Sequence, residues 1–191
     1  MGRRAEKKQM KKIPVLVALN QELPQTLPDP FVKVITGVGK INATIAIMQA
    51  IHKYNPNKII NFGTAGSLNP VFGSGIHKVA KVAQRDMDVR ALGLELGQAS
   101  SKEPIWYILD DVETRPTLTS GDQFVDSRPE MMSDLVDMEA AAYAKVCHDY
   151  KIVLDVYKFV SDNADSDASG SWEENCDKGA ALFMNILGEH Q

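Results

Sequence analysis

The stretch FVKVITGVGKINATIAIMQAIHKYNPNKIINF, residues 31–62, contains a complete strand–helix–strand unit. FVKVIT (31–36) and KIINF (58–62) are short runs rich in β-branched and aromatic residues, which is typical of strands. Between them, apolar residues recur near helical spacing, and Pro56 stands just beyond the end of this pattern. The residues with this spacing are Ile41, Ile45, Met48 and His52. A helix between two strands predicts a sheet that helices cover.

The same alternation of strands and helices extends over the rest of the chain. IPVLVAL (13–19) and IVLDVYKFV (152–160) have the composition of buried strands. MEAAAYAKVCHDY (138–150) and SWEENCDKGAALFMNILGEH (171–190) have helical patterns, and Ser171 is placed to cap the second, with two glutamates in its first turn. The predicted fold class is therefore α/β, with helices on both faces of the sheet.

Length and composition favour one soluble domain over residues 13–191. The 191 residues suffice for a core without disulfides, and no apolar run approaches the ~20 residues of a membrane span. Cys147 and Cys176 lack the spacing of a metal or redox motif, which favours a reducing cytoplasm. Residues 1–12 carry six basic side chains against Glu6 alone, and we expect a solvated, disordered segment there. With a net charge of −4, neither nucleic acid nor membrane is an expected partner.

The glycines of TGVGKIN follow a strand and open a helix, as in a dinucleotide-binding loop. That motif needs a further Gly or Ala at position 42, which is Asn42 here, and no GKS or GKT follows for a phosphate loop. We interpret Gly37 and Gly39 as a tight strand-to-helix turn, so no cofactor is predicted.

The stretch KFVSDNADSDASG (158–170) places several aspartates directly after an apolar run. Asp165, Asp167, Ser169 and Gly170 match the first positions of a calcium loop, but position 12 is Cys176 instead of a bidentate glutamate. We therefore predict no metal and a solvated turn before a helix. Asp162 differs because it ends the apolar run, where burial would raise its pKa and favour an acid. A helix or turn cap is the alternative for Asp162.

Glu139 in DMEAAA stands where the LVDM run meets an alanine-rich helix. Because alanine lets a helix pack closely, Glu139 can be carried deep into the fold at the edge of a site. The alternative is a glutamate that only favours the helix dipole. Both interpretations stay open from the residues alone. The four histidines are scattered and pair with no nucleophile motif, which disfavours a hydrolase triad.

Seven segments in this order resemble the nucleoside phosphorylase and nucleosidase superfamily, nearest to the 5′-methylthioadenosine/S-adenosylhomocysteine nucleosidases. They are ALNQE, TGVGKINA, NFGTAGS, RDMDVRALG, TSGDQF, VDMEAAA and KFVSDNAD, and the likeness extends from about residue 13 to 188. The resemblance implies a three-layer α/β/α fold around a mixed, partly barrel-like sheet. It also implies a cytoplasmic homodimer of methionine salvage that releases adenine from a 5′-substituted ribose.

The resemblance also implies roles for individual residues. Asp162 corresponds to the acid at purine N7, with Ser161 beside it on the base side, while Glu139 corresponds to the carboxylate that binds the ribose hydroxyls. Glu22 corresponds to the glutamate that activates water. The other implied substrate contacts are the stacking ring of Phe124, the backbone of Val125 at the adenine edge, Met138 beneath the sugar, and Thr64, Ala65 and Gly66 near the ribose and the nucleophile. No metal or redox cofactor is implied.

The chemistry of N-glycosidic cleavage agrees with this set. An acid neutralises the purine while a base prepares water on the opposite face of the oxocarbenium-like ribosyl centre. One rival is a phosphorylase of the same fold, for which Arg85 and Arg90 are candidate phosphate ligands, although ALNQELPQT has no basic residue. The other rival is a nucleoside-binding protein without catalysis. The chain departs from the family in short connections, one after Glu22, and in Lys158 where many relatives have Arg.

Overall fold

The computed structural model of the chain describes residues 11–165 and 168–189. Strands and helices alternate along them. The strands are β1 (Ile13–Val17), β2 (Phe31–Ile35), β3 (Lys58–Ser67), β4 (Ile76–Lys78), β5 (Lys81–Gln84), β6 (Tyr107–Ile108), β7 (Thr117–Ser120), β8 (Leu135–Asp137) and β9 (Val153–Asp162). The α-helices are α1 (Lys40–Tyr54), α2 (Ala140–Tyr150), α3 (Ala168–Asn175) and α4 (Ala180–Glu189).

The predicted strand–helix–strand unit is present as β2, α1 and β3. Helix α1 follows Gly39, which has a φ of +89°, and ends at Asn55 in the left-handed conformation that commonly terminates helices. Its buried side chains are mainly small, with Ala43 and Ile47 in the core. Two residues of the apolar pattern that predicted this helix, Ile41 and Ile45, face outward near its start and are 74% and 53% exposed.

The long strands β3 and β9 form the centre of the sheet. They pair in parallel along nearly their whole length, from Lys58 opposite Val153 to Gly66 opposite Asp162. On its other edge β3 pairs with β1 in parallel and, further along, with β8 in antiparallel. The strand order β2-β1-β3-β8-β7-β5-β6 continues from there, and β4 pairs with β9. Both central strands therefore end at the junction between these two parts of the sheet.

Helices cover the two faces of this sheet, as alternation along its strands requires. Leu16 and Val156 pack with α1 and α2, whereas their neighbours Val15 and Tyr157 pack with α4. Because successive strand residues point to opposite faces, strands buried on both sides are mostly apolar along their length. The predicted fold class, a mixed sheet between layers of helices, is confirmed. The sheet is not closed into a barrel, because its strand order ends at β2 on one side and at β6 on the other.

The prediction of one helix over residues 171–190 is wrong. The structure has two helices separated by the turn of residues 176–179, and α3 begins at Ala168, so Ser171 lies inside the helix and does not cap it. Gly179 explains the break, because a Cβ there would approach the Cβ of Phe159 to 2.5 Å. A larger residue at position 179 would therefore not fit against β9.

Some predictions concern residues that the structure does not describe. Most of the basic segment 1–12 is among them, as are Asp167 and His190. Lys12 is described and forms an ion pair with Asp29. Within residues 11–165 and 168–189, no helix has the length and apolar character needed to cross a membrane.

Replacing Gly179 by Ala should lower the free energy of unfolding by about 1–3 kcal/mol, because the new methyl group overlaps buried Phe159. Urea unfolding measures this loss. Gly188→Ala in α4 is the matched control, since nothing lies within 4 Å of its Cβ position and alanine favours a helix. Equal stabilities of the two variants would contradict the contact with Phe159.

Candidate active site

One cavity of about 340 Å³ lies at the carboxyl ends of β3, β8 and β9. Ends of parallel strands are where sites form in α/β sheets. The structure brings all ten site residues predicted from the sequence to the wall of this cavity. They are Glu22, Thr64, Ala65, Gly66, Phe124, Val125, Met138, Glu139, Ser161 and Asp162.

A β-bulge turns both Ser161 and Asp162 toward the cavity. Opposite β3, the register passes from Ala65 paired with Val160 to Gly66 paired with Asp162, so Ser161 is the extra residue. Neighbouring side chains on a regular strand would face opposite sides, and the bulge removes that restriction. Gly66 leaves room for the result, because a Cβ there would lie 2.7 Å from Asp162 Oδ1.

The carboxyl group of Asp162 is buried and accepts two hydrogen bonds. Ser161 Oγ donates to Oδ2 at 2.8 Å, and the Ala164 amide donates to Oδ1 at 2.9 Å. Burial raises the pKa of Asp162 above its ordinary value, and the two hydrogen bonds offset only part of that effect. The protonated, acidic form is thereby favoured relative to a free aspartate.

Glu22 enters the cavity from the short 3-10 turn that follows β1. Its side chain is buried, and both carboxylate oxygens accept hydrogen bonds. Thr64 on β3 donates to Oε1 from its amide at 2.9 Å and from its hydroxyl at 2.8 Å. The amide of Leu19, just before the turn, donates to Oε2 at 3.0 Å. Trp172 Nε1 in turn donates to the Thr64 hydroxyl at 2.9 Å. These bonds fix the orientation of the carboxylate.

A single strand therefore sets the positions of Glu22 and Asp162. Thr64 holds the first and Gly66 adjoins the second. Residues two apart on a strand face the same side, roughly 7 Å from each other. The two carboxyl groups are thus held at separate points along one wall, with space between them for a substrate.

Glu139 precedes α2 and accepts a 2.9 Å hydrogen bond from the Gly39 amide at the start of α1. Burial raises the pKa of Glu139 to about 7, and the nearby carboxylate of Asp137 adds to this effect. Lys158 and the Gly39 amide act in the opposite direction. A carboxyl group in this state changes its charge near neutral pH.

Lys158 supplies a buried positive charge beneath these carboxylates. Its Nζ lies 2.8 Å from Asp137 Oδ2, and both side chains are only 1% exposed. Burial alone would lower the pKa of Lys158, but Asp137, Glu139 and Glu22 together raise it. Lys158 therefore stays charged and compensates the acidic wall.

The two arginines considered as phosphate ligands are already engaged. Arg85 lines the cavity, but its terminal nitrogens donate to backbone carbonyls of Thr119, Asp137, Gly121 and Gln123 at 2.7–3.3 Å. Arg90 is paired with Asp88 and Glu130 on the surface. Arg85 thus supports the loop at the cavity mouth, where Phe124 is 47% exposed.

Sequence reasoning did not assign Asp137, Lys158 or Trp172 to the site. Lys158 carried a signal, because a lysine inside an apolar strand needs a buried partner. Its partner Asp137 was not evident, since the two residues belong to strands that are not adjacent. Trp172 carried no local signal. No group of three or more metal-binding side chains occurs in the part of the chain that the structure describes.

Comparisons with known proteins agree with this architecture. The family model of the phosphorylase superfamily matches residues 28–189. The 5′-methylthioadenosine/S-adenosylhomocysteine nucleosidase of Staphylococcus haemolyticus is 35% identical, over 80% of this chain and 77% of that protein. The enzyme of the same name from Staphylococcus epidermidis is 33% identical, over 76% of this chain and 74% of that protein.

Solved structures share the fold over nearly the whole chain. The nucleosidase of this kind from Helicobacter pylori, bound to butyl-thio-DADMe-Immucillin-A, has a TM-score of 0.83 at 22% identity and covers 95% of this chain and 98% of that chain. Helicobacter pylori futalosine hydrolase also has a TM-score of 0.83 at 22% identity, covering 93% and 96%. At this identity the likeness shows the fold alone.

Replacing Glu139 by Gln should raise the free energy of unfolding relative to wild type, and this gain should be larger at pH 8 than at pH 5. The pKa of Glu139 is about 7 in the folded chain against an ordinary 4.5, so the wild type loses stability as the pH rises between these values. The amide of the glutamine does not ionise, so the variant avoids this loss. One pKa unit corresponds to about 1.36 kcal/mol, and the gain in the free energy of unfolding at pH 8 is therefore at most roughly 3 kcal/mol. Urea unfolding at both pH values measures it.

Glu173→Gln is the control for this measurement, because Glu173 lines the same cavity but is exposed. Its stability relative to wild type should be the same at pH 5 and pH 8. A Glu139→Gln protein with no such pH-dependent gain would contradict the buried, weakly ionised state of Glu139.

Proposed function

The chain belongs to the phosphorylase superfamily, and we propose that it is a purine nucleosidase acting on 5′-methylthioadenosine, S-adenosylhomocysteine or a related 5′-modified adenosine. The reaction is hydrolysis of the N-glycosidic bond, which releases adenine. One observation carries the proposal: a single cavity holds Asp162, Glu22 and Glu139, three carboxyl groups in three different environments.

Asp162 is the acid for the departing base. When the bond between C1′ and N9 breaks, its electron pair moves into the purine, and a proton delivered to N7 neutralises the leaving group. Burial raises the pKa of Asp162 above its ordinary value, which shifts this carboxyl group toward the protonated form that can supply the proton. Ser161 holds the second oxygen of the carboxyl group at 2.8 Å, which keeps the acid aligned with the base.

Glu22 is the base that prepares water. Water attacks C1′ on the face opposite the purine, and Glu22 accepts the proton that the water loses. The hydrogen bonds from Thr64 and Leu19 hold the carboxylate in place, so little reorganisation is required in the transition state. The products are adenine and the free 5-substituted ribose.

Glu139 binds the ribose hydroxyls, and Met138 packs beneath the sugar. Phe124 stacks on the base and the Val125 backbone reads the adenine edge. These roles are supported by the position of all four residues on the cavity wall. Thr64, Ala65 and Gly66 form the β3 wall near the ribose and the nucleophile. Positioning of this kind keeps C1′ aligned with both the acid and the water.

Hydrolysis is favoured over phosphorolysis because the candidate cations are already bound. The terminal nitrogens of Arg85 donate to backbone carbonyls, Arg90 is paired at the surface, and Lys158 is bound to Asp137. Phosphate would bring its negative charge beside Glu22, and among the described cavity residues no cation is placed to receive it. Water carries no such cost.

We also propose a cytoplasmic homodimer that acts in methionine salvage. The dimer is supported by an apolar patch at the cavity rim and the start of α1, where Val38, Ile41 and Ile45 are 42%, 74% and 53% exposed. Exposed apolar groups of this kind mark interfaces.

Sedimentation equilibrium should give twice the chain mass of 21.0 kDa, and a monomer at micromolar concentration would contradict the dimer.

Wild-type protein should release adenine from 5′-methylthioadenosine at the same rate with and without phosphate, and yield free 5-methylthioribose. Chromatography of both products measures this. A rate that rises with phosphate, with ribose 1-phosphate products, would indicate a phosphorylase. Nucleoside binding with no adenine release would indicate a binding protein without catalysis.

Asp162→Asn should lower adenine release by ~10²–10⁴-fold while nucleoside binding is kept, because Asn cannot supply a proton. Glu22→Gln should likewise bind substrate and lose most turnover. Asp165→Asn is the matched control, since Asp165 is exposed just beyond β9. Activity of Asp162→Asn within about threefold of the control would reject the acid role.

A further inference from the structure

The TGVGK turn between β2 and α1 directs two consecutive amides at carboxylates from two different parts of the chain. Gly37 and Gly39 adopt φ values of +82° and +89°, which side chains other than glycine rarely permit. The Gly39 amide donates to Glu139 Oε1 at 2.9 Å, and the Lys40 amide donates to Asp122 Oδ1 at 2.8 Å. The start of α1 thus contacts both Glu139, the carboxylate proposed to bind the ribose, and the loop that carries Phe124.

The side chain of Lys40 closes this contact into a ring. Its Nζ lies 2.8 Å from Asp122 Oδ2 and 2.6 Å from Asp86 Oδ2, and the Asp122 amide donates to the same Asp86 oxygen at 2.9 Å. Lys40 is only 15% exposed. Burial alone would raise the pKa of Asp86, but the hydrogen bonds from Lys40 and Asp122 lower it. The three residues therefore hold one another in place.

Asp122 stands two residues before Phe124, in a segment without helix or strand. The order of this segment depends on contacts from outside it, because residues 121–134 make no regular backbone ladder. Arg85 holds the carbonyls of Gly121 and Gln123 from below, and the Lys40 ring holds Asp122 from the side. Phe124 itself is half exposed.

We propose that Lys40 is a positioning residue that holds the base-stacking loop against the N-terminus of α1, in register with Glu139. This inference rests on the proposed function, in which Phe124 stacks on the purine. Lys40 itself is not one of the residues that line the cavity. An isolated surface ion pair would contribute little, but Lys40 joins two aspartates on separate segments and has its own amide in the same ring.

Lys40→Gln should raise KM for 5′-methylthioadenosine roughly tenfold and leave kcat within about threefold, because a displaced loop weakens the stacking of Phe124 on the base. Such a split between KM and kcat indicates loss of binding that is equal in ground and transition states. The inhibition constant of adenine, which has no ribose, should rise by the same factor. Lys40→Arg should recover most of the loss.

Lys78→Gln is the matched control, since Lys78 also joins two aspartates, Asp155 and Asp110, outside the cavity wall. Its KM should equal that of wild type. In a Phe124→Ala background, Lys40→Gln should have no further effect on KM, because its target is already gone. Full additivity of the two substitutions, or equal KM values for Lys40→Gln and Lys78→Gln, would overturn the role of Lys40.

The same variants separate this inference from the proposed function. A wild-type chain that cleaves no nucleoside but binds adenine would reject the nucleosidase, and calorimetry with adenine would still test Lys40. Unchanged adenine affinity in Lys40→Gln would then overturn the positioning role. A wild-type chain that neither cleaves nucleosides nor binds adenine would overturn both.

Discussion

The buried ion pair between Lys158 and Asp137 is the interaction on which the site depends. Three further buried acidic side chains line the same cavity, and isolated buried charges are too costly to persist. Lys158 lies inside β9, where its partner and the charges of Glu139 and Glu22 keep it protonated. Removing one member of such a pair commonly costs ~3–5 kcal/mol, because the other is left uncompensated. Lys158 therefore provides the buried positive charge that compensates the acidic wall.

Strand β3 fixes the positions of two of these acidic side chains, Glu22 and Asp162. Thr64 binds Glu22 through two donors, and the missing side chain of Gly66 leaves space for Asp162. Opposite them, the bulge at Ser161 turns the end of β9 toward the cavity. Both features lie in the two most central strands, whose close pairing resists small displacements. The acid and the base of the proposed reaction are thus both held by the two central strands.

Different surroundings separate carboxyl groups that are chemically alike. Asp162 is buried with two donors and has a raised pKa, while Glu139 is balanced between burial and Lys158 at a pKa of about 7. Glu22 receives three donors from the backbone and from Thr64. Environments that differ in this way let side chains of one type serve as acid, base and ligand. The same balance leaves no cation placed for phosphate among the described cavity residues.

Local patterns in the sequence determined much of this protein. Apolar runs predicted the long strands β3 and β9, helical spacing predicted α1 and α2, and ordered motifs pointed to the ten residues that the fold brings to one cavity. The short strands β4 to β8 carry too few residues for a periodic signal, and the break at Gly179 depends on Phe159 across the fold.

Tertiary structure alone decided which groups compensate one another. Lys158 and Asp137 are 21 positions apart on strands that do not pair, so no local pattern joins them. The bulge at Ser161 and the ring of Lys40, Asp86 and Asp122 likewise require distant segments to meet. Periodicity reports which face of an element is apolar, because it follows from the geometry of one segment. Charge compensation depends on distances between segments, and those exist only in the folded chain.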